Sequence, residues 1–397
     1  MNALPSPLTS SHPAPRQGQE ILDQVHALAP SIREASDEIE KTGRLTNEIL
    51  HALKQADVFG MAIPKSMGGP EADPMTQLEI VEALAVADGS VGWVAMIGSD
   101  GGYYAAHLSE ESADEIYADP NAVTASTLAP RGQARREEGG YRVSGKWSFG
   151  SAGLHAEWFV GGCLVVDDAG PVKGPSGHPI VRMMFFPRKD CLVHDNWRTT
   201  GLAGSGSNDW SVDEVFVPES RSFSLFEPSR FSEPLYAFPW FVVANAPGVS
   251  LGIARAAIDT LCELAAKKKV MPGGKRLQDD LLLQTAVGQA EAELGAARAY
   301  IYTATAAIFE TVCAGNEPSL DQRAAYRLAG INAFRASKSV VCRMYEAGGG
   351  TALYASSLLD RQWRDISTIT QHAFANERVY GEGGRAMMGL DPQSMML

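Results

Sequence analysis

Apolar residues in the first third of the chain recur at the spacing of a helix. From Ile21 to Ile32 they follow one another at steps of three or four residues, which places them on one face of an amphipathic helix. Pro30 interrupts this stretch, so the pattern predicts either a kink or a second helix start there. The same spacing predicts further helices over 46–58, 78–86 and 92–107, and a short one after 109.

The hydrophobic period then changes, and alternating apolar and polar positions replace the helical spacing. A Ser144-Gly145 turn joins two short strands. β-Branched and aromatic residues concentrate in three further stretches, over 158–166, 180–186 and 210–217. Too few helical stretches lie between these segments for a sheet built from βαβ units. The pattern therefore predicts a β-sandwich or barrel.

Helical spacing returns after Pro239, and small residues mark the longest stretch. Helices are predicted over 249–266, 283–312, 319–348 and, in part, 361–388. Within 283–312 a stripe rich in alanine recurs at steps of three and four, which suits close helix packing in a bundle. We thus predict an α+β protein with a mobile tail (1–17), an N-terminal helical domain (18–121), a central β domain (122–235) and a C-terminal helical bundle domain (236–397).

The composition is that of an acidic, enzyme-sized chain and excludes several classes of function. The 397 residues carry 34 Lys and Arg against 47 Asp and Glu, a net charge of −13. Nucleic-acid binding needs a clustered cationic surface, so no such partner is expected. Five scattered cysteines without a C-x-x-C pair indicate neither disulfides nor a metal site, and reduced thiols point to the cytoplasm. No apolar run reaches the roughly 18 residues of a membrane helix, so no membrane partner is expected.

Three groups of motifs carry a resemblance to a known family. The first reads LKQADVFGMAIP at 53–64, and the second reads GYRVSGKWSFGS at 140–151. The third reads EAGGG at 346–350, followed by RQWRD at 361–365. In this order, and spread over most of the chain, they resemble the acyl-CoA dehydrogenase superfamily. The resemblance implies the acyl-CoA dehydrogenase fold, in which a β domain lies between two helical domains.

The residues that would perform dehydrogenation depart from the family pattern. Most members place a catalytic Glu a few residues after the Arg-Asp pair, but 366–376 holds no acidic residue and contains His372 instead. The usual Thr of the flavin strand is replaced by Phe149. Some dehydrogenases carry their Glu on an earlier helix, and Glu263 lies near that position. An acyl-CoA dehydrogenase acting on an acyl thioester therefore remains the alternative.

These departures resemble a sister group, the flavin-dependent monooxygenases of the same fold. Their flavin strand follows W-x-F-x-S-G, which here reads WSFGSA at 147–152, and their second flavin segment here reads GLAGSGS at 201–207. Their catalytic His matches His372. The resemblance implies a cofactor site formed by Trp147, Phe149, Ser151, Gly204, Ser205, Gly206, Ser207, Gly349 and Gly350. Tight turns and a helix C-terminus are the structural alternatives for the glycine segments.

The resemblance also implies the reaction and its catalytic residues. The cofactor is reduced flavin, FADH2 in preference to FMNH2, with O2 as co-substrate, and a flavin C4a-hydroperoxide transfers oxygen to a phenol- or indole-type aromatic. The Ser151 hydroxyl would accept the flavin N5–H, and His372 would take a substrate proton or protonate the leaving oxygen. A strand Ser bonded to backbone and a structural helix His are the alternatives at these two positions.

The partners implied are a small aromatic substrate, a separate NAD(P)H-dependent flavin reductase and further copies of the chain. A homotetramer would form through the C-terminal helices, with flavin sites at subunit borders. An aromatic substrate stacks on aromatic side chains and needs few polar contacts. The candidate substrate residues are Trp93, Ser99, Asp100, Tyr104, Trp240 and Phe241. A non-catalytic bundle that keeps the fold for assembly is the third class of function.

Overall fold

The computed structural model describes residues 18–175, 177–270, 274–394 and 397. The predicted tail at 1–17 lies outside the described residues. The chain begins with helices α1 (Gln19–Thr42), α2 (Asn47–Gln55), α3 (Pro74–Ala87), α4 (Gly89–Gly98), α5 (Gly101–Ala105) and α6 (Glu110–Ile116). Polar side chains at the N-caps Thr46, Asp73, Asp88 and Ser109 accept backbone N–H groups of the first turn that have no partner inside their own helix.

Two helical boundaries differ from the prediction. Pro30 lies inside α1, and the helix continues through it because apolar side chains on both sides of Pro30 are buried. The stretch predicted as one helix over 92–107 is divided between α4 and α5. The turn between them brings the backbone at Gly102 so close to the preceding loop that a Cβ there would lie 1.7 Å from the carbonyl oxygen of Ala62. Only glycine fits this approach.

The central region is an eight-stranded mixed sheet with the order β6-β7-β2-β1-β3-β5-β8, in which β4 pairs with β3. Its strands are β1 (Thr124–Glu137), β2 (Gly140–Trp147), β3 (Trp158–Asp167), β4 (Gly170–Pro171), β5 (Val181–Pro187), β6 (Leu192–Val193), β7 (Trp210–Pro218) and β8 (Ser222–Phe223). Strands β1 and β3 are parallel, and the other pairs are antiparallel. The three stretches predicted as strands are confirmed as β3, β5 and β7. The turn predicted at Ser144-Gly145 is wrong, because the single strand β2 runs through both residues.

The sheet curls so that strands that are not neighbours share one core. Trp147 of β2 stacks on Trp210 of β7 with ring centroids 4.2 Å apart. Phe186 of β5 meets the same Trp210 ring at 5.8 Å, although three strands separate β5 from β7 in the sheet. The predicted sandwich or barrel is thus one strongly curved sheet with its aromatic face inside.

The C-terminal part is a helical bundle, as predicted. It contains α7 (Ala246–Lys267), α8 (Leu281–Cys313), α9 (Leu320–Gly348), α10 (Leu358–Ile369) and α11 (Arg378–Met387), with the two-stranded hairpin β9 (Lys269–Val270) and β10 (Lys275–Arg276) after α7. The alanine-rich stripe of α8 is buried against its neighbours. Ser319 caps α9 in a reciprocal arrangement with Gln322. The fold is therefore α+β, with helices on both sides of the sheet in sequence.

One helical stretch is long and apolar enough to cross a membrane, which the sequence reading did not anticipate. It runs over Pro239–Lys267 and includes α7. However, 83% of its most apolar window is buried inside the protein. This burial is the pattern of a core helix, because a membrane-spanning helix would present its apolar side chains to lipid.

Helix α7 joins the N-terminal helices to the bundle through close backbone contact with α3. A Cβ at Gly252 would lie 2.3 Å from the carbonyl oxygen of Glu82, and one at Gly248 would lie 2.6 Å from that of Leu78. These two glycines are one turn apart on the same face of α7. The junction therefore depends on the absence of side chains at 248 and 252.

We expect Gly252→Ala to lower the free energy of unfolding by about 1–3 kcal/mol, because α7 must move away from α3 to make room for the methyl group. The matched control is Gly288→Ala on α8, where an added Cβ meets no atom within 4 Å. The control should be neutral or stabilising by up to about 1 kcal/mol, since alanine favours the helix. Urea unfolding followed by circular dichroism measures both, and equal effects would contradict the close junction.

Candidate active site

A strained loop after β2 carries Ser151. Phe149 and Ala152, on either side of it, have φ values of 65° and 61°. Residues other than glycine rarely adopt such positive values. The loop is held by a backbone hydrogen bond of 2.9 Å from the Gly150 N–H to the carbonyl of Asn208. The second glycine-rich segment, 201–207, therefore lies beside Ser151, as its role in a shared site requires.

Three serine hydroxyls form a continuous chain of hydrogen bonds at this place. The Oγ atoms of Ser151 and Ser207 are 2.7 Å apart, and those of Ser207 and Ser205 are 2.8 Å apart. The Ser205 hydroxyl donates to the carbonyl oxygen of Leu202 at 2.7 Å. At the other end, the indole N–H of Trp93 donates to the Ser151 Oγ at 2.9 Å. We call Ser151, Ser207 and Ser205 the hydroxyl chain.

The carbonyl end of the hydroxyl chain fixes the direction of its protons. A carbonyl oxygen can only accept, so the Ser205 proton points to Leu202 and the Ser205 oxygen accepts from Ser207. By the same argument the Ser207 oxygen accepts from Ser151. Ser151 has then spent its proton, and one of its lone pairs receives the Trp93 N–H. What remains at Ser151 is one acceptor lone pair.

Trp93 connects the hydroxyl chain to His372. The indole ring lies on α4, and its centroid is 5.4 Å from that of the His372 imidazole in an edge-to-face arrangement. The centroid of the imidazole also lies 4.6 Å from that of the Phe374 ring. The structure therefore brings together Trp93, Ser151 and His372, which the sequence analysis selected from three separate segments.

The surroundings of His372 define its charge and its tautomer. Burial among aromatic rings lowers the pKa of the imidazole from about 6.5 to about 4. His372 also caps the short helical turn Ala373–Ala375, because its Nδ1 accepts the backbone N–H of Phe374 at 3.4 Å. At neutral pH the ring is thus uncharged, and its proton is assigned to Nε2.

A buried carboxylate, which the sequence analysis did not select, supports the end of the hydroxyl chain. The Asp365 Oδ1 on α10 accepts the backbone N–H of Leu202 at 2.6 Å, and Leu202 itself has a positive φ of 51°. Burial and the nearby Asp88 raise the pKa of Asp365 to about 7. The available signal was the position of an acidic residue on the buried face of α10, next to Ile366 and Ile369.

Of the cofactor residues predicted from the first flavin motif, Trp147 is buried and Phe149 is exposed. The Trp147 ring is buried in the sheet core, and its indole N–H already donates to the carbonyl of Gly162 at 2.9 Å. The Trp147 side chain therefore supports the strand and offers no open face to a ligand. Phe149 is instead 67% exposed and meets only the edge of Trp197 among the ring contacts of the described residues.

The predicted glycines also divide into packed and open positions. A Cβ at Gly204 would lie 2.2 Å from Ile39 of α1, and Gly206 has a positive φ of 53° beside Leu154. These two glycines let the 201–207 loop pack against its neighbours. At Gly349, which has a φ of 58°, and at Gly350 an added Cβ would meet no atom within 4 Å in the described structure. The backbone there is open to approach by another molecule.

The candidate substrate residues other than Trp93 lie in two separate groups. Asp100 accepts the Tyr104 hydroxyl at 2.9 Å in a buried cluster, and burial raises the pKa of Asp100 well above its ordinary value. Ser99 donates to the Met96 carbonyl of its own helix. No hydrogen bond or ring contact joins this group to Ser151 or His372 within the described residues.

The second group lies at the start of the C-terminal bundle. The Phe241 ring is fully buried, 5.9 Å from Phe309. Trp240 is half-buried, and its ring lies 5.7 Å from the exposed Phe226. Phe241 thus has the position of a core residue, and Trp240 lies at the rim of that core, away from the ring contacts of His372.

Acidic and metal-binding groups do not complete the site. Glu263, the base required by the dehydrogenase alternative, is exposed on α7. In the part of the chain that the structure describes, no cluster of three or more His, Cys, Asp or Glu side chains could hold a metal ion. The Trp93 indole bonds the Ser151 hydroxyl and meets the neutral His372 imidazole.

Comparison with family models now defines the class of protein. Residues 16–117 match the model described as "Acyl-CoA dehydrogenase, N-terminal domain", and residues 245–377 match "Acyl-CoA dehydrogenase, C-terminal domain". Together the two matches span more than half of the chain. The chain therefore belongs to the acyl-CoA dehydrogenase family, and the resemblance seen in its motifs is confirmed.

Relatives over nearly the full length are monooxygenases. Indole-3-acetate monooxygenase from Acinetobacter baumannii is 32% identical over 92% of this chain and 94% of its own length. The flavin-dependent monooxygenase oxygenase subunit HsaA from Rhodococcus jostii is 30% identical over 93% of this chain and 98% of its own. The placement in the flavin-dependent monooxygenase branch of the family is thereby confirmed.

Solved structures agree with this placement. The crystal structure of 3-HSA hydroxylase from Rhodococcus sp. RHA1 superposes with a TM-score of 0.88 at 29% identity, covering 95% of this chain and 99% of that one. XiaF from Streptomyces sp., in complex with FADH2 and glycerol, also gives a TM-score of 0.88, at 26% identity over 96% and 98% of the two chains.

The depressed pKa of His372 predicts a pH-dependent contribution to stability. Because its pKa is about 4 in the folded chain and about 6.5 in the unfolded one, unfolding binds a proton between these values. The contribution is complete above pH 6.5 and is lost as the pH falls toward 4. His372→Asn, which keeps a capping oxygen, should therefore show a shallower loss of stability over this range.

The informative quantity is the difference between wild type and variant, since Asp365 titrates in the same range with the opposite sign. Urea unfolding at pH 7.5, 6.0 and 4.5 measures it. Parallel curves for the two proteins would mean that His372 is not buried in the neutral form.

Proposed function

We propose that this protein is the oxygenase component of a two-component, flavin-dependent monooxygenase that hydroxylates a phenol- or indole-type aromatic. The observation that carries the proposal is that the Trp93 indole donates to Ser151 and meets the His372 ring edge to face. Among the described residues, no carboxylate forms a hydrogen bond or ion pair with Ser151 or His372. One group is an acceptor with a fixed orientation, and the other is a neutral donor. These groups suit oxygen transfer and do not suit removal of a proton from carbon.

The residues present fit a reduced flavin. The lone pair left at Ser151 has no donor among the hydrogen bonds of the described residues, and reduced flavin carries an N–H at N5. The exposed Phe149 ring beside Ser151 offers an apolar face for the edge of a planar cofactor. The open backbone at Gly349 and Gly350 would admit the flavin of a neighbouring subunit, as the family resemblance implies.

When bound, the reduced flavin would activate O2 so that one oxygen atom passes to the substrate and the other leaves as water. The protein supplies orientation and protons. Ser151 would hold the cofactor N–H, and Trp93 and Phe374 would keep water from the reacting edge. His372 presents its proton at Nε2, which makes it a donor toward an oxygen atom. A neutral ring could release this proton only as imidazolate, so His372 would act as a hydrogen-bond donor to an oxygen atom, and both proton-transfer roles of His372 stay predictions.

The substrate, the reductase and the compartment follow from this proposal. One relative is named for indole-3-acetate. Another, from Rhizobium sp., is named as the oxygenase component of an FADH2-dependent resorcinol hydroxylase. An aromatic substrate fits a site built around Trp93 and His372. The names oxygenase subunit and oxygenase component imply a separate flavin reductase, which here would use NAD(P)H. All five cysteines are free, in accord with a cytoplasmic protein.

A homotetramer formed by the C-terminal helices is part of the same proposal. Large apolar side chains that are more than half exposed occur at the ends of these helices and between them: Leu281, Leu282, Leu353, Tyr354, Leu358, Met387 and Met388. Such exposure is typical of surfaces that another chain covers. Sedimentation equilibrium should give four times the chain mass of 42.5 kDa, and a monomer would refute this part of the proposal.

The function is tested by supplying each set of substrates to the purified protein. With reduced flavin, O2 and a panel of phenols, resorcinol, indole and indole-3-acetate, we expect a hydroxylated product and oxygen consumption that stops when the reductant is left out. Under anaerobic conditions acyl-CoA thioesters should not bleach added oxidised flavin. Bleaching by a thioester without O2 would establish the dehydrogenase alternative instead. Failure to bind either redox state of flavin would favour a non-catalytic bundle.

We expect His372→Asn to lower the hydroxylation rate roughly 100-fold or more, the usual effect of removing a general acid or base. Binding of reduced flavin should change by less than about threefold, because Ser151 and its hydrogen bonds are untouched. The matched control is His51→Asn, which changes an exposed histidine on α2 and should retain wild-type turnover. Product formation by chromatography and an anaerobic flavin titration measure the two quantities. Unchanged turnover in His372→Asn would remove its assigned role.

A further inference from the structure

The hydroxyl chain is built so that it cannot easily reverse. Each of its members is buried, and the acceptor at its end is a backbone carbonyl, which has no proton to give. The same Leu202 carbonyl also accepts the indole N–H of Trp197 at 3.1 Å and the Ser205 N–H at 3.0 Å. The Leu202 oxygen is thus held by three donors and can only accept the Ser205 proton.

The position of that carbonyl is fixed in turn by α10. The Asp365 carboxylate accepts the Leu202 N–H and holds this residue in a left-handed conformation that is unfavourable for leucine. Gly201 allows the loop to lie directly on α10, since a Cβ there would be 2.1 Å from the carbonyl oxygen of Arg364. The orientation at Ser151 therefore depends on residues that do not themselves touch it.

The direction of the hydrogen bonds in the hydroxyl chain matters, because the two redox states of flavin present opposite groups at N5. Reduced flavin carries an N–H, which needs an acceptor, whereas oxidised flavin carries a lone pair, which needs a donor. A serine that is free to rotate could serve either state. Ser151 is not free, because Ser207 takes its proton and Trp93 fills one of its lone pairs.

We propose that Ser205 and Ser207 are positioning residues which, anchored through Leu202 by Asp365, hold the Ser151 hydroxyl as an acceptor and thereby select reduced over oxidised flavin. This inference rests on the proposed function, in which flavin arrives reduced from a reductase and leaves oxidised. The device lets one site take up the first form and release the second without a change in fold. Ser205, Ser207, Leu202 and Asp365 contribute to selectivity only through Ser151.

Two substitutions should remove the selection at different points. In Ser205→Ala the Ser207 hydroxyl loses its acceptor and can turn to donate to Ser151, whose own proton then becomes available to a ligand. In Ser207→Ala the Ser151 proton loses its acceptor directly. Ser205→Thr keeps the hydroxyl and should behave as wild type. Ser211→Ala is the control, since this β7 serine forms its hydrogen bond with His194 and does not belong to the hydroxyl chain.

The measured quantity is the ratio of the dissociation constants of oxidised and reduced flavin, obtained by anaerobic titration of FADH2 and by titration of FAD. A ratio cancels any general loss of affinity that a packing defect would cause. We expect wild type, Ser205→Thr and Ser211→Ala to favour the reduced form. Ser205→Ala and Ser207→Ala should lower the ratio by about tenfold, the size of one hydrogen bond.

Asp365 is tested in the same titration. Asp365→Asn retains an oxygen that can accept the Leu202 N–H and should keep the wild-type ratio, whereas Asp365→Ala should lower it as Ser205→Ala does. If wild type prefers reduced flavin and both serine-to-alanine variants keep its ratio, this inference is wrong while the proposed function stands. If wild type binds reduced flavin without preference, the inference is also wrong. If it binds neither form, the proposed function fails with it.

Discussion

The polar groups around Ser151 depend on one constraint: a buried hydroxyl is stable when its proton meets an acceptor. The Leu202 carbonyl can only accept, so the protons of Ser205, Ser207 and Ser151 all point toward it, and the Trp93 indole fills one lone pair of Ser151. A reversed arrangement would turn a lone pair of Ser205 toward the lone pairs of the Leu202 carbonyl, while Trp93 would still donate to Ser151. The orientation of Ser151 follows from this constraint alone.

The constraint also explains why the site needs all three regions of the chain. Trp93 comes from α4, Ser151 and the other serines from loops of the curved sheet, and Asp365 and His372 from the C-terminal part. The regions must therefore meet with a precision of a few tenths of an ångström. The glycines of α7, which let α3 approach its backbone, and Gly201 and Gly204 beside α10 and α1 supply this precision. The fold positions the site through places where side chains are absent.

Much of the fold could be predicted because its signals are local. Helical and alternating spacing depend on which face of an element is buried, and the long C-terminal helices and strands β3, β5 and β7 follow from it. The motif around Ser151 is likewise a continuous segment of sequence, and so is the segment around His372 that lacks acidic residues. What joins them is Trp93, whose indole contacts both residues from a third segment.

Other features could not be predicted, because they depend on contacts between distant segments. A Trp in a flavin motif indicates a ligand contact, yet Trp147 is turned inward to stack on Trp210. Trp240 and Phe241 are aromatic residues of the kind that line an aromatic pocket. In the structure, however, Trp240 packs against Phe226 and Phe241 packs against Phe309. Asp365 belongs to a recognisable Arg-Asp pair, and only its contact with Leu202, 163 positions away in sequence, shows what its carboxylate holds. Sequence spacing cannot show such a pairing, because it says nothing about which loop an acidic side chain will meet.

The chemistry of the two flanking groups then decides between the reactions that this family fold can support. Removal of a proton from the carbon next to a thioester needs a carboxylate that is strongly basic for its surroundings. A neutral imidazole whose conjugate acid has a pKa of about 4 is a much weaker base than an ordinary histidine. Its Nδ1 already accepts a backbone N–H and its Nε2 carries the proton, so neither nitrogen is free to accept a substrate proton. The same neutral ring can donate a hydrogen bond from Nε2 to an oxygen atom without losing its proton. The packing of His372 against Trp93 and Phe374 thus makes the imidazole a poor base for dehydrogenation and leaves its Nε2–H as a hydrogen-bond donor.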